Sequence, residues 1–343
     1  MNKLLTIIIP SYNMEKYLSR GLDSLLIEKG RERLDVIVVN DGSKDQTSAI
    51  AHEYAGKYPE MIRVIDKPNG NYGSCINAGL KEAQGKYVRI LDADDTFETT
   101  AFEHFLDKLG KIDADLVFSG LDHVNEAGQY IKEREYVSLP PMKICRFEDI
   151  PEDSWRISMA CMTYRTENLR QINYHQTEGV SYSDEDWTFS PVNTAERVCL
   201  IQEPVYRYLI GREGQTVAEE TRRKRVSHVV KVAENMVEAY NHLAPRNDSV
   251  KRYLDYRLYA LIEFIYKTYL FSNGNVDLSP LSTFDQFLCQ NRKDAYQYAG
   301  TLCLSPRLRY KYVNHWRKTG KMVPPFVLTV NRLFNNIHQL KNK

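Results

Sequence analysis

The sequence predicts an α/β protein: a mostly parallel sheet flanked by helices, followed by a helical C-terminal region. Short β-rich apolar runs alternate with helix-spaced segments over roughly the first hundred residues. A polar loop follows each run, and from Thr221 onward helical spacing dominates.

Leu4 to Ile9 is apolar and ends at Pro10, expected to break the strand, and Val36 to Val39 ends in Asn40-Asp-Gly-Ser43. Continuous apolar runs of this length suit strands buried on both faces. Between them, Tyr17 to Glu28 places Leu18, Leu22, Leu25 and Leu26 at helical spacing, and Asp45 to Tyr58 reads as a second helix capped by Asp45. A strand at Ile62 to Ile65, a Gly/Asn-rich loop from Pro68 to Gly73, a helix through Ala83 and a strand at Tyr87 to Leu91 follow. This alternation implies right-handed crossovers between parallel strands, and such sheets bind ligands beyond the carboxyl ends of their strands.

After Thr96 the reading gives a helix near Thr100 to Leu109, a strand at Asp115 to Ser119 and a hairpin turning at Asn125-Glu-Ala-Gly128. Residues 137 to 210 read as mixed and mostly irregular. Ala233 to Leu243 and Tyr253 to Leu270 read as helices separated by Pro245 to Asp248. The expected division is an α/β domain over 1–217 and a helical domain with a basic amphipathic tail over 218–343.

The 343 residues, 43% hydrophobic and 27% charged, suffice for a sizeable core. Lysine plus arginine (46) nearly balances aspartate plus glutamate (45), so no overall field favours nucleic acid as a partner. No apolar run spans a bilayer, and the start turns polar too soon for a signal peptide, so a cytoplasmic protein is expected. The six cysteines are scattered without zinc spacing and read as reduced thiols, with Cys75 a small buried filler.

The most informative stretch is Asp92-Ala-Asp-Asp95, where an apolar strand delivers three carboxylates into one loop. Crowded anions ionise best around a hard divalent cation, Mg²⁺ or Mn²⁺. Taken alone, the same stretch also suits a solvated acidic turn.

The order Thr6-Ile-Ile-Ile-Pro-Ser-Tyr-Asn13 with Glu15 and Leu18, Val38-Val-Asn-Asp-Gly-Ser43, Asn71-x-Gly73 with Asn77, and Asp92-Ala-Asp-Asp95 resembles the family 2 glycosyltransferases of bacterial polysaccharide type. The resemblance implies the GT-A fold, a Rossmann-like α/β architecture, and an inverting transfer from a UDP-sugar to a saccharide or polyprenyl-linked saccharide. It implies that Pro10, Tyr12, Asn13 and Glu15 hold the nucleotide and that Asp41 accepts the uracil imide N–H. Asp41 also suits a plain Asp-Gly-Ser turn. Asn71 and Gly73 would let the backbone approach the nucleotide, although Gly70-Asn-Tyr-Gly73 equally suits a tight turn. Asp92, Ala93 and Asp94 match the family's D-x-D stretch, with Asp92 contacting ribose or metal and Asp94 ligating metal. Asp95 is the weaker candidate.

Further along, Ser183-Asp-Glu-Asp-Trp187 resembles the family's Glu-Asp motif and implies Asp186 as general base. Asp184 and Glu185 are expected to raise its pKa, and Trp187 to supply an apolar platform for sugar rings. An acidic helix start is the competing reading. Tyr206 to Thr216 resembles the segment that closes over the donor diphosphate, making Arg207 and Arg212 diphosphate ligands or surface salt bridges.

Two other functions remain open at this level. Asp92-Ala-Asp-Asp-Thr96 also satisfies the D-x-D-x-T motif of haloacid-dehalogenase-like phosphatases, with Asp92 as nucleophile, and a noncatalytic nucleotide-sugar or glycan-binding module would keep the fold alone. Finally, Ser305 to Lys343 holds nine lysines and arginines and no acid. Phe326, Val330, Leu333, Phe334 and Ile337 form an apolar stripe on a helix beginning near Pro325, with Arg332 beside it. The stripe suits peripheral attachment to an anionic membrane on the cytosolic face, docking on its own helical domain, or a homo-oligomer contact.

Overall fold

A computed structural model describes residues 3–212, 221, 224–272, 276–304 and 309–329. Glu213 to Thr216, the stripe residues Val330, Leu333, Phe334 and Ile337, and Arg332 beside them lie outside the described residues. The chain divides into two compact units, Met1–Ala218 with Pro245–Tyr253 and Glu219–Ala244 with Leu254–Lys343.

In the first unit the chain opens as β1 (Leu5–Ser11), α1 (Leu18–Asp23), β2 (Leu34–Asn40), α2 (Thr47–Lys57), β3 (Ile62–Asp66), α3 (Asn71–Glu82) and β4 (Tyr87–Ile90). It continues through β5 (Thr96–Phe97), α4 (Thr99–Leu109), β6 (Leu116–Phe118), β7 (Leu121–Val124) and β8 (Tyr130–Glu135). Then come β9 (Ile144–Arg146), β10 (Met162–Arg165), α5 (Thr166–Gln171), α6 (Asp184–Trp187), β11 (Arg197–Leu200) and β12 (Tyr206–Leu209). Eight strands form one sheet in the order β3-β2-β1-β4-β10-β6-β11-β9, and β5-β12-β7-β8 form a second. The first four strands of the large sheet pair in parallel, while β10 runs antiparallel to both β4 and β6. Every residue of β1 and β2 is buried, which is why their sequences lack a polar face.

Pro10 does not break β1. It pairs in register with Val39, and the strand runs on to Ser11. Ile8 accepts from Leu91 N–H on the β4 side, and alternation turns Pro10 to that same side, beyond the last β1–β4 pair at Ile8–Ile90. Its missing N–H therefore faces no ladder partner.

The helix expected over Tyr17 to Glu28 shortens to α1. Ser24 Oγ donates to Gly21 O at 2.6 Å and accepts from Phe97 N at 3.0 Å, and tight turns then carry Leu25 and Ile27 into the core. Asp45 does serve the start of α2, accepting from the Thr47 N–H at 3.0 Å and its hydroxyl at 2.6 Å. The hairpin turn forms as expected, with Gly128 N–H bonded to Asn125 O at 2.8 Å. The stretch 137–210 is more ordered than expected: β9, β10 and β11 complete the large sheet, pairing through residues distant in sequence.

The described part of the second unit is helical, with helices at Val226–His242, Ser279–Asn291, Lys293–Thr301 and Tyr312–Thr319. The helix Asp248–Leu270 starts upstream of the expected Tyr253 because Asn247 Oδ1 accepts the Val250 N–H at 2.9 Å, capping its first turn. Arg317 and Asp285, both largely buried, pair at 2.6 Å within this unit. All six cysteines are free thiols, and Cys75, Cys145, Cys161 and Cys199 are buried. No described helix is long and apolar enough to cross a membrane.

Candidate active site

The acid loop leaves the carboxyl end of β4, beside β1 and near the end of β12. Asp92 Oδ1 accepts from Tyr72 Oη at 2.7 Å, and its N–H donates to Tyr206 Oη at 3.1 Å. Tyr206 Oη in turn donates to Asp95 Oδ2 at 2.8 Å, while Leu209 N–H donates to Asp95 Oδ1 at 2.7 Å. Asp95 is almost completely buried, so its carboxyl clasps the loop to β12 rather than facing a ligand. Asp94 pairs with Arg212, whose guanidinium lies 5.6 Å from the Tyr17 ring centroid, and Arg20 Nη2 donates to the Asp94 carbonyl at 3.0 Å. Ala93 between them is buried.

Burial pushes Asp92 up to about 7, with the charge of Asp94 next and that of Asp184 contributing. Asp95 is raised for the same reason, burial first and Asp94 and Asp92 after it. Carboxylates that restrain each other's ionisation in this way suit a divalent cation, which would relieve the repulsion. Among the described residues no group of three or more His, Cys, Asp or Glu side chains could hold a metal ion. A cation on Asp92 and Asp94 would therefore draw its remaining ligands from water and diphosphate, as Mg²⁺ commonly does.

Asp186 sits in α6, buried, with Oδ2 accepting the Thr177 N–H at 2.8 Å. Its pKa is pushed up to about 6, with burial the largest cause, and Asp184 and Glu185 raise it further as expected. Trp187 is not a platform. It is fully buried, edge-on to Tyr164 at 5.2 Å and to Tyr174 at 5.8 Å, and so anchors α6 in the core.

The loops after β1 and β2 are laced to each other. Lys44 N–H donates to Asn13 Oδ1 at 2.8 Å, Gln46 N–H to Glu15 Oε2 at 3.0 Å, and Asn13 N–H to Ser43 Oγ at 3.1 Å. Asn13 and Glu15 thus spend these oxygens on bracing the second loop, whereas Tyr12 stands exposed at the sheet's end. Asp41 is buried, and its Oδ1 accepts from Lys67 Nζ at 2.7 Å and Gly70 N–H at 2.9 Å.

Asn71 and Gly73 belong to the first turn of α3, not to a loop. A Cβ on Gly73 would lie 2.0 Å from Thr177 O, so its bare Cα makes room for protein backbone. On that side of Gly73 the close neighbour is the Thr177 carbonyl. Arg207 pairs with Glu98 at 3.6 Å, apart from the Asp94–Arg212 contact.

Sequence reasoning missed Tyr72, Tyr206 and Thr177, which orient the aspartates through tertiary contacts that no local pattern announces. Asp184 was legible as part of Ser183-Asp-Glu-Asp186, and its charge reaches both Asp92 and Asp186.

A mostly parallel sheet carrying an acid loop at the end of its fourth strand defines a GT-A-type α/β protein. The description "Glycosyl transferase family 2" matches residues 6–172. The "Uncharacterized glycosyltransferase EpsJ" of Bacillus subtilis (strain 168) is 30% identical over 255 residues, covering 71% of each chain. The chain belongs to the family 2 glycosyltransferases and is a glycosyltransferase enzyme. The "Minor teichoic acid biosynthesis protein GgaB" of Bacillus subtilis (strain 168) is 27% identical over 220 residues, 62% of this chain but only 24% of GgaB. In fold, the chain is similar to S. aureus TarS 1-349 in complex with UDP-GlcNAc, with a TM-score of 0.64, 19% identity and coverage of 93% and 92% of the two chains. Family membership removes the phosphatase alternative for Asp92.

Proposed function

We propose that this enzyme transfers a hexosyl or N-acetylhexosaminyl group from a UDP-sugar to a saccharide hydroxyl, with inversion, in bacterial glycan or polysaccharide synthesis. The observation that carries the proposal is the division of labour among the acids. Asp92 and Asp94 are crowded together, whereas Asp186 is a buried carboxylate held by Thr177 through both its backbone N–H and its side chain, with its pKa near 6. A base with that pKa is ionised at neutral pH and still able to take a proton. The TarS complex with UDP-GlcNAc supports a uridine donor, and the GgaB likeness supports a polysaccharide setting.

In this reading Asp186 accepts the acceptor's hydroxyl proton as that oxygen bonds to the anomeric carbon. The bond from that carbon to the diphosphate breaks, and its electron pair leaves with UDP. A single displacement inverts the anomeric configuration, giving a β-linkage from an α-linked donor. Asp92 and Asp94 would hold Mg²⁺ or Mn²⁺, which would neutralise the departing diphosphate. Arg212, paired with Asp94, would follow that charge onto the diphosphate, and its ion pair beside the acid loop supports this role. Asp41 fixes its carboxylate through Lys67 and Gly70 for the uracil imide, and Tyr12 offers an exposed ring to the base. The expected boundary at 217 would put the catalytic residues in one domain, and the basic tail beyond Gly320 would bring it to an anionic membrane carrying a lipid-linked acceptor. Incubation with a panel of UDP-sugars and Mn²⁺ tests the reading by UDP release, which must fall in Asp186→Asn.

A further inference from the structure

A concavity with a volume of about 300 Å³ lies between α3 and α5. Its lining includes Asn77, Lys81, Arg170, Asn173, Tyr174 and His175. Three of these carry or can carry positive charge, and none is acidic. Lys81 is exposed and has no ion pair among the described residues. Arg170 Nη2 donates to Ala83 O at 2.6 Å, which fixes its guanidinium at the wall. Glu178, outside the lining, lies 3.4 Å from His175 and accepts from Asn77 Nδ2 at 2.8 Å.

The concavity is wired to the candidate base. Asn77 Oδ1 accepts the Gln176 N–H at 2.8 Å, and the next residue, Thr177, bonds Asp186 at 2.8 Å. Tyr174 packs on Trp187, beside Asp186 in α6. Gly73, against Thr177, and Lys81 are on the same helix eight residues apart, a rise of about 12 Å. The exposed amide of Asn173 suits a sugar hydroxyl, while Lys81 and Arg170 suit an anion.

We propose that this concavity is an acceptor subsite for a phosphate group carried by the acceptor saccharide, away from the hydroxyl that reacts. The proposal rests on the glycosyl-transfer reading above and adds the acceptor's charge to it. A phosphodiester-linked disaccharide, its neutral counterpart and inorganic phosphate are titrated into the full-length chain by calorimetry. UDP affinity with Mn²⁺ and UDP-sugar hydrolysis are measured alongside. The phosphodiester is expected to bind at least about tenfold more tightly than either other probe, with affinity weakening as salt rises. Lys81→Gln should weaken it about threefold or more and Lys81→Gln with Arg170→Gln about tenfold, with UDP affinity unchanged. Because Arg170 also braces Ala83, the single Lys81 variant keeps the test valid if the double variant unfolds. Equal binding of charged and neutral disaccharide, unchanged affinity in Lys81→Gln, or inorganic phosphate binding as tightly as the disaccharide overturns the subsite. Absence of UDP affinity in the unmodified chain would instead overturn the transfer reading, whatever the disaccharide does.

Discussion

Thr177 donates its backbone N–H to Asp186 Oδ2 at 2.8 Å, and the same residue's carbonyl fills the space left by Gly73. One peptide segment thus joins α3, whose first turn carries Tyr72 to Asp92, to the candidate base. The acid loop and the base are held by one continuous set of contacts.

Asp186→Asn should lower turnover by about 10²-fold or more while leaving UDP affinity nearly intact. The unmodified enzyme should show an acid limb in kcat near the Asp186 pKa of about 6, and the variant should lack that limb. The folded chain binds this proton more tightly than the unfolded chain does. Its contribution to stability is therefore fully present below the ordinary value of 3.8 and declines as pH rises to about 6. Relative to the unmodified chain, Asn at this position should gain on the order of 1–3 kcal/mol at pH 7 over pH 4, read from denaturant titrations at both pH values.

Gly73→Ala should place a methyl group 2.0 Å from Thr177 O and force that backbone away. Stability should fall by about 1–3 kcal/mol, and turnover should fall through the loosened Asp186 rather than through the donor. A loss confined to UDP affinity, with the acid limb unchanged, would return Gly73 to the nucleotide.

Tyr206→Phe removes the hydroxyl that joins the Asp92 N–H to Asp95 Oδ2. Leaving a buried acceptor short of one donor should cost about 1–3 kcal/mol in chemical denaturation and weaken Mn²⁺-dependent UDP binding. Wild-type stability and binding would mean that the clasp does not order the loop.

For the basic tail, removal of the residues after Gly320 should abolish flotation of the full-length chain with anionic liposomes while leaving UDP affinity unchanged. Flotation should weaken as salt rises. Equal flotation of full-length and truncated chains, or none of either, would exclude the membrane contact.

The parallel half of the large sheet was legible because each strand is a short, mostly apolar run with its polar loop at the carboxyl end. The acid loop was legible for the same reason, as a short motif at a strand end, whereas Asp186, in a stretch without clear pattern, was named only through the likeness of Ser183-Asp-Glu-Asp-Trp187 to the family's motif. Trp187 was misread because a tryptophan beside an acid looks alike in the core and in a cleft; only Tyr164 and Tyr174 decide it. Pro10 was misread because a missing N–H matters only where a neighbouring strand is present. The partners that orient the acids, Tyr72, Tyr206 and Thr177, come from separate elements and meet only in the folded chain.

The central claim is that Asp92 and Asp94 hold a divalent cation against the diphosphate of a UDP-sugar. Calorimetric titration of UDP into the unmodified chain and into Asp94→Ala, each with Mn²⁺ and with a chelator, tests it most directly. The account predicts binding by the unmodified chain that requires the metal, and none by Asp94→Ala under either condition. Metal-independent UDP binding of equal strength in both chains would contradict it.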